Sequence, residues 1–210
     1  MTKASWYFDY ISPFAYLQLA RFDELPDALE VQLKPVVFGG LLKAHGQLGP
    51  AEIPSKRTYT YRFAHWQAHR RGVPFKMPPS HPFNPLAALR LTIAAGSSRE
   101  VVETVYQYIW GEGGDPQSPE GLAEMAKRTN IEDGPAAVSQ QAVKDRLRAN
   151  TEEALAAGVF GVPTFVIGGE IIWGDDGTQM VADFIADPDM FQSAEMRRIS
   201  TMPMGLQRGR

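Results

Sequence analysis

An α/β architecture with an all-helical insertion is what this 210-residue sequence predicts, and three observations carry that prediction. Strand, helix and strand signals follow one another near the N-terminus. Two more strand signals, joined by a glycine pair, return only near the C-terminus. Between them runs a long stretch of helical periodicity punctuated by capping and stop residues. The simplest assembly is one α/β domain made of 1–40 and 158–210, with 41–157 inserted as a helical domain.

The first strand is read in "WYFDYISPFAY" from Trp6 to Tyr10, a short apolar run. Ser12-Pro13 then supplies an N-cap and a proline at the first helical position, where its missing N–H costs nothing. This helix is expected to reach about Leu25. In "EVQLKPVVFGG", Val31, Leu33 and Val37 suggest a second strand ending at Gly39-Gly40.

The strand signal then disappears. "RTYTYRFAHWQAHRRG" places Tyr59, Phe63 and Trp66 on one helix face and closes at Gly72, and "NPLAALRLTIAAG" opens on Asn84-Pro85 and closes at Gly96. "SSREVVETVYQYIWG" starts on a serine and is apolar nearly all round, so it is expected to be buried. "SPEGLAEMAKRT" repeats the Ser-Pro start at Ser118-Pro119, and "VSQQAVKDRLRANTEEALAAG" is read as one helix ending at Gly158. "VPTFVIGGEIIWG" gives two strands around the hairpin pair Gly168-Gly169. A last helix begins near Asp176, and the tail "MRRISTMPMGLQRGR" is expected to be loosely held.

Composition narrows the chemistry. A net charge of -3 argues against nucleic acid or an acidic membrane as the main partner, since both reward a basic excess. The chain has no cysteine, which excludes a disulfide, a thiol nucleophile and a cysteine-ligated metal within it. The N-terminal stretch lacks a continuous apolar run and is interrupted by Asp9, so neither a signal peptide nor a membrane span is expected, and the default location is the cytoplasm. His65 and His69 have a metal-binding spacing but no third ligand beside them; they are read as exposed helix residues, and no metal site is expected.

Two elements bear on chemistry. Ser12 stands at a helix N-terminus, where a cap is the plain structural reading. In "GVFGVPTFVIGG", Pro163 opens a strand after Val162; a simple turn is the plain reading and a cis Val162-Pro163 bond the less common outcome, since only ~5–6% of X-Pro bonds in folded proteins are cis. Taken together, strand, helix, strand, then X-Pro-Thr beside a hairpin and a last helix resembles the thioredoxin fold. Members of that family carry Cys-X-X-Cys at the start of the first helix. Here Ser12-Pro13-Phe14-Ala15 takes that place, which rules out a thiol–disulfide oxidoreductase.

Four segments narrow the resemblance: "FDYISPFAY", "RRGVPFKMPPSHPFNPLAALRL", "YIWGEGGD" and "GVFGVPTFVIGGEIIWGDD". Their order from Trp6 to about Ile185 resembles the 2-hydroxychromene-2-carboxylate isomerase family, which is close to the kappa-class glutathione transferases and lies in the DsbA-like branch of the thioredoxin fold. The resemblance implies that glutathione supplies the missing thiol and that Ser12, beside its sulfur, is the catalytic residue. A free thiol with a pKa near ~8.5 is only about 3% thiolate at pH 7, and lowering it by about two units corresponds to roughly 2.7 kcal/mol. A hydroxyl donating to a charged sulfur supplies about 1.5–3 kcal/mol, and a helix N-terminus roughly 0.3–1 kcal/mol more.

The same resemblance implies that Val162, with Pro163, pairs its backbone with the cysteinyl unit of glutathione, and that Gly174, Asp175, Asp176 and Gly177 hold the γ-glutamyl end. A turn plus an N-cap is the structural alternative for the two aspartates. Relatives often carry an arginine where this chain has Gly177, and an asparagine near Glu52, whose role Lys56 or Arg57 would share. His81 is the candidate contact to glutathione or substrate, or else structural. Arg62, Arg70 and Arg71 are either solvated or attract an anionic substrate. The implied activity is a glutathione-dependent cis–trans isomerisation of an aromatic carboxylate by an expected homodimer. A kappa-type transferase and a non-catalytic glutathione-binding module are the alternatives.

Overall fold

A computed structural model describes residues 1–206. Four strands form a sheet in the order β2-β1-β3-β4. β1 (Thr2–Phe8) lies inside it, parallel to β2 (Leu29–Pro35) and antiparallel to β3 (Thr164–Ile167), which pairs antiparallel with β4 (Glu170–Trp173). Trp6 stands opposite Leu33 on one side and Phe165 on the other. The two-residue period of the strand sorts its side chains. Ala4, Trp6 and Phe8 enter the larger core, while Tyr7 faces a smaller one with Val36, Leu41, Ala154 and Val159. The β3–β4 hairpin turns on Gly168 and Gly169 at φ 60° and 92°, a double left-handed turn that favours glycine.

The first helix is shorter than expected. α1 (Pro13–Leu19) stops at Ala20, and a 3-10 turn, Phe22–Glu24, follows. The bend brings the Phe22 ring 4.9 Å from Trp6 and 5.6 Å from Phe165, a burial that a continuing helix would forfeit. The second strand also ends early, at Pro35. Gly39 and Gly40 lie in the first turn of α2 (Phe38–Ala44) and not at a strand end. Its start is fixed by two backbone donors, Val37 N to Thr151 Oγ1 at 3.1 Å and Phe38 N to Asp9 Oδ2 at 2.9 Å.

The stretch between β2 and β3 is helical, as the periodicity indicates: α3 (Pro54–Arg71), α4 (Leu86–Ala94), α5 (Arg99–Tyr106), α6 (Pro119–Arg128), α7 (Gly134–Ser139) and α8 (Gln141–Ala156). α3 closes at Gly72 with φ 66°. α5 runs on into a π-helical turn, Gln107–Gly111, and together they bury Val102, Val105, Tyr106, Ile109 and Trp110, while Glu100 and Glu103 stay outside. The segment read as one helix up to Gly158 is two, because Gln140 is extended at ψ 133°. The break lets α7 bury Ala137 and α8 bury Val143, Leu147 and Ala154 independently. After β4 come a 3-10 turn, Asp175–Gly177, α9 (Thr178–Ala186) and α10 (Ala194–Ser200), which buries none of its residues. The end of the tail expected to be loosely held, 207–210, lies outside the described residues.

One core runs through sheet and helices alike: Trp6, Phe8 and Phe165 belong to the same buried cluster as Ala64, Leu89, Val105 and Leu147. Among the described residues no helix is long and apolar enough to cross a membrane.

Candidate active site

Ser12 occupies the mouth of α1. Its Oγ accepts from Ala15 N at 3.3 Å, so it does cap the helix, and its hydroxyl proton points to Val162 O at 3.4 Å. Both contacts are long for hydrogen bonds to a hydroxyl, which leaves the proton easy to redirect. Val162-Pro163 is a cis peptide, as is His81-Pro82. Pro163 O accepts from Gly174 N at 2.9 Å, so Ser12, Val162, Pro163 and Gly174 form one continuous wall across three elements.

The turn from Gly174 to Gly177 is pinned from several sides. Gln18, fully buried in α1, donates to Gly174 O at 2.8 Å and to Thr178 Oγ1 at 3.2 Å, and its Oε1 accepts from Trp6 Nε1 at 2.7 Å. The Asp175 carboxylate is buried at 3% exposure and gripped by both arms of the Arg71 guanidinium at 2.8 Å each. Arg21 donates to Asp175 O at 3.2 Å. Asp176 is exposed and Gly177 buried. A Cβ at Gly177 would come within 2.8 Å of Ile172 Cγ2, so a larger side chain there would displace the isoleucine. The guanidinium that reaches this turn comes from α3.

The turn that delivers Ser12 is held as tightly. Asp9 Oδ1 accepts from Ile11 N at 3.0 Å and Asp9 O from Ser12 N at 3.0 Å. Three successive carbonyls are then taken by side chains of the helical stretch. Tyr106 donates its hydroxyl to Asp9 O at 3.0 Å, Trp110 its Nε1–H to Tyr10 O at 2.7 Å, and His81 sets Nε2 2.8 Å from Ile11 O. His81 Nδ1 faces the Tyr61 hydroxyl at 2.8 Å, so both its nitrogens are engaged. Burial lowers the His81 pKa below its usual value, opposed by the bond to Ile11 O. Asp9, fully buried, is pushed up to about 7 by desolvation, partly offset by the amides of Phe38 and Ile11.

The candidates read from the sequence therefore fall into groups. Ser12 bonds to Val162 and Gly174 to Pro163, and the turn continues through Asp175, whose carboxylate is buried on Arg71 and so does not face a ligand, the exposed Asp176 and the buried Gly177. His81 borders it through Ile11. Glu52 sits apart in a 3-10 turn, Pro50–Glu52, where its Oε2 accepts from Gly49 N at 2.6 Å, and Arg57 beside it donates to Ala51 O. Lys56 is exposed on α3. Sequence reasoning missed Asp9, Gln18, Tyr106 and Trp110. A signal existed for two of them: Asp9 and Gln18 are lone polar residues in the otherwise apolar runs "WYFDYI" and "PFAYLQLA".

Comparison with known proteins bears on the family and the fold. A "Glutathione s-transferase kappa 2" of Caenorhabditis elegans is 26% identical over 205 residues, covering 87% of this chain and 91% of its own. A 2-hydroxychromene-2-carboxylate isomerase of Sphingobium xenophagum is 26% identical over 196 residues, covering 89% of this chain and 100% of its own. A solved structure of a 2-hydroxychromene-2-carboxylate isomerase superposes with a TM-score of 0.76 at 25% identity, over 92% of this chain and 98% of that one. The model of the DSBA-like thioredoxin domain matches residues 5–186. That match spans most of the sheet and the whole helical stretch between β2 and β3, and the chain belongs to the DSBA-like thioredoxin domain family.

Proposed function

We propose that this protein is a glutathione-dependent cis–trans isomerase of 2-hydroxychromene-2-carboxylate or a related aromatic carboxylate. The observation that carries the reading is the Ser12 hydroxyl, loosely bonded to Val162 O in a chain that has no thiol of its own. A thiolate arriving beside Val162 competes for that proton. Ser12 turns its O–H to the sulfur, keeps accepting from Ala15 N, and frees Val162 O to accept an amide of glutathione. Asp176 is the exposed carboxylate of the 174–177 turn and suits the α-ammonium, while Asp175 holds the turn through Arg71. Because α1 has only 7 residues, the hydroxyl rather than the helix dipole supplies most of the thiolate stabilisation.

The reaction then balances without any other reagent. The hemiketal ring first opens: its C–O bond breaks, the hydroxyl proton passes to the phenolic oxygen, and a keto group conjugated to the double bond is exposed. The sulfur then forms a bond to the far carbon of that double bond, and the π electrons move onto the keto oxygen as an enolate. The former double bond rotates as a single bond. The enolate electrons return, the C–S bond breaks, and the thiolate is released against Ser12. The protein works in this reading as a homodimer in the cytoplasm.

Ser12→Ala tests it. Turnover is expected to fall roughly ten- to a hundredfold, the equivalent of one charge-assisted hydrogen bond, while glutathione still binds in calorimetry. Full activity in the variant would remove Ser12 from the mechanism. The kappa-type transferase reading is favoured by the nematode relative, and mass balance separates the two, since a transferase consumes glutathione and an isomerase returns it. Absence of glutathione binding to the wild type would leave a non-catalytic module with another ligand.

A further inference from the structure

Helix α3 carries an aromatic face that the described chain leaves open. Tyr59, Phe63 and Trp66 recur at intervals of four and three residues and so stand in one stripe. Their rings stack: Tyr59 and Phe63 have centroids 5.6 Å apart with planes 12° apart, and Phe63 and Trp66 5.7 Å and 21°. Tyr59 nevertheless keeps 67% of its surface exposed and Trp66 49%. At its inner edge the stripe reaches the Ser12 helix, where the ring of Phe14 lies 6.1 Å from that of Phe63. Contiguous exposed rings of this size mark a surface that meets something.

Charge on α3 is as uneven as exposure. The chain has more Asp and Glu, 24, than Lys and Arg, 21. Yet α3 carries Lys56, Arg57, Arg62, Arg70 and Arg71 and no acidic residue. Arg71 is committed to Asp175 and Arg57 to Ala51 O. Arg62 and Arg70 are exposed and have no carboxylate partner among the described residues, and the Arg70 guanidinium lies 5.1 Å from the centre of the Trp66 ring. Stacked rings under an uncompensated positive field suit a planar anion.

We propose that the open face of α3, Tyr59, Phe63 and Trp66 continued by Phe14, is the platform that receives the ring of the anionic aromatic substrate, and that Arg62 and Arg70 draw that anion in. The proposal rests on Ser12 activating glutathione at the neighbouring helix mouth, and it assigns the residues that select the second substrate. A second copy of the chain fits this face less well. A two-fold interface would set the same cationic helix against itself, and a stripe three rings long falls short of the ~800 Å² per partner of a stable dimer.

The probe is 2-hydroxycinnamate, a soluble planar aromatic acid, titrated calorimetrically into the protein with and without glutathione, with glutathione affinity measured separately. Tyr59 and Trp66 are exposed, so the double variant Tyr59→Ala/Trp66→Ala keeps the fold. It is expected to weaken probe binding about tenfold and leave glutathione affinity unchanged. Added salt should weaken the probe in the wild type, and less so in Arg62→Gln/Arg70→Gln. Unchanged probe affinity in the aromatic variant, or no probe binding to the wild type, overturns the platform even where glutathione binds normally. Loss of a dimer in sedimentation by the aromatic variant would make the face an interface between copies and also overturns it. Failure of the wild type to bind glutathione, with probe binding still sensitive to Tyr59 and Trp66, would sink the assignment of Ser12 and leave the platform standing.

Discussion

Asp9 is the residue whose burial has the most consequence for the site. Its two oxygens accept from Ile11 N and Phe38 N, tying the turn before Ser12 to the start of α2. Its folded pKa, raised to about 7 by desolvation, lies above the value near ~3.9 of an unfolded aspartate. The folded protein therefore binds more protons than the unfolded chain between these two values. Stability from this group is full below about pH 4 and is lost as pH rises to about 7. Asp9→Asn cannot titrate; it keeps one of the two backbone bonds and loses the other, a loss that is the same at every pH. Urea midpoints at pH 4.5 and 7.5 are expected to show the wild type losing stability relative to the variant over that interval. A parallel pH response of the two proteins would mean that Asp9 stays ionised in the fold.

At the scale of elements, α3 acts as a brace whose last residue fixes the turn between β4 and α9. Arg71 is the bidentate partner of a buried carboxylate, and Asp175 leads directly into the Asp176–Gly177 corner. Removing the guanidinium leaves a buried charge with only a longer 3.9 Å approach from Arg21. Because Arg71 is itself 27% exposed, water re-enters and softens the loss. Arg71→Ala is expected to cost about 2 kcal/mol in denaturant unfolding. With the turn holding glutathione as proposed, it should raise the KM for glutathione more than it lowers kcat, since Ser12 is untouched. Arg71→Lys restores the charge without the fork and should recover only part of the affinity. Equal losses in kcat and KM from Arg71→Ala would place the effect on the whole site and not on the turn.

For the whole molecule, the helices between β2 and β3 are mechanically part of the candidate site. Tyr106, Trp110 and His81 hold the carbonyls of Asp9, Tyr10 and Ile11 in succession, and one buried cluster joins Trp6 and Phe165 of the sheet to Leu89 and Leu147 of the helices. A shared core of this kind leaves no weak plane along which one half could melt alone. Unfolding is therefore expected as a single transition, with far-ultraviolet circular dichroism and tryptophan fluorescence giving the same midpoint. Separate midpoints would show that the helical stretch opens independently of the sheet.

What the sequence determined by itself were the local features. Ser12-Pro13, Gly72, Ser118-Pro119 and Gly168-Gly169 dictate where helices and turns begin or end, since capping and left-handed φ depend on a few neighbouring residues. The absence of cysteine likewise fixed from composition that any thiol must come from outside. Tertiary structure decided the rest. Gly39-Gly40 look like the end of a strand until Asp9 and Thr151 draw the backbone amides into α2, and "SQQ" looks helical throughout until α7 and α8 each find a face to bury. The partners of the site, Asp9 with Phe38, Gln18 with Gly174 and Arg71 with Asp175, are separated by 29, 156 and 104 residues. Periodicity and capping reach only a few residues along the chain, whereas a buried polar group takes whichever partner packing brings within about 3 Å. For that reason the position of Ser12 could be read from its neighbours, but what holds it there could not.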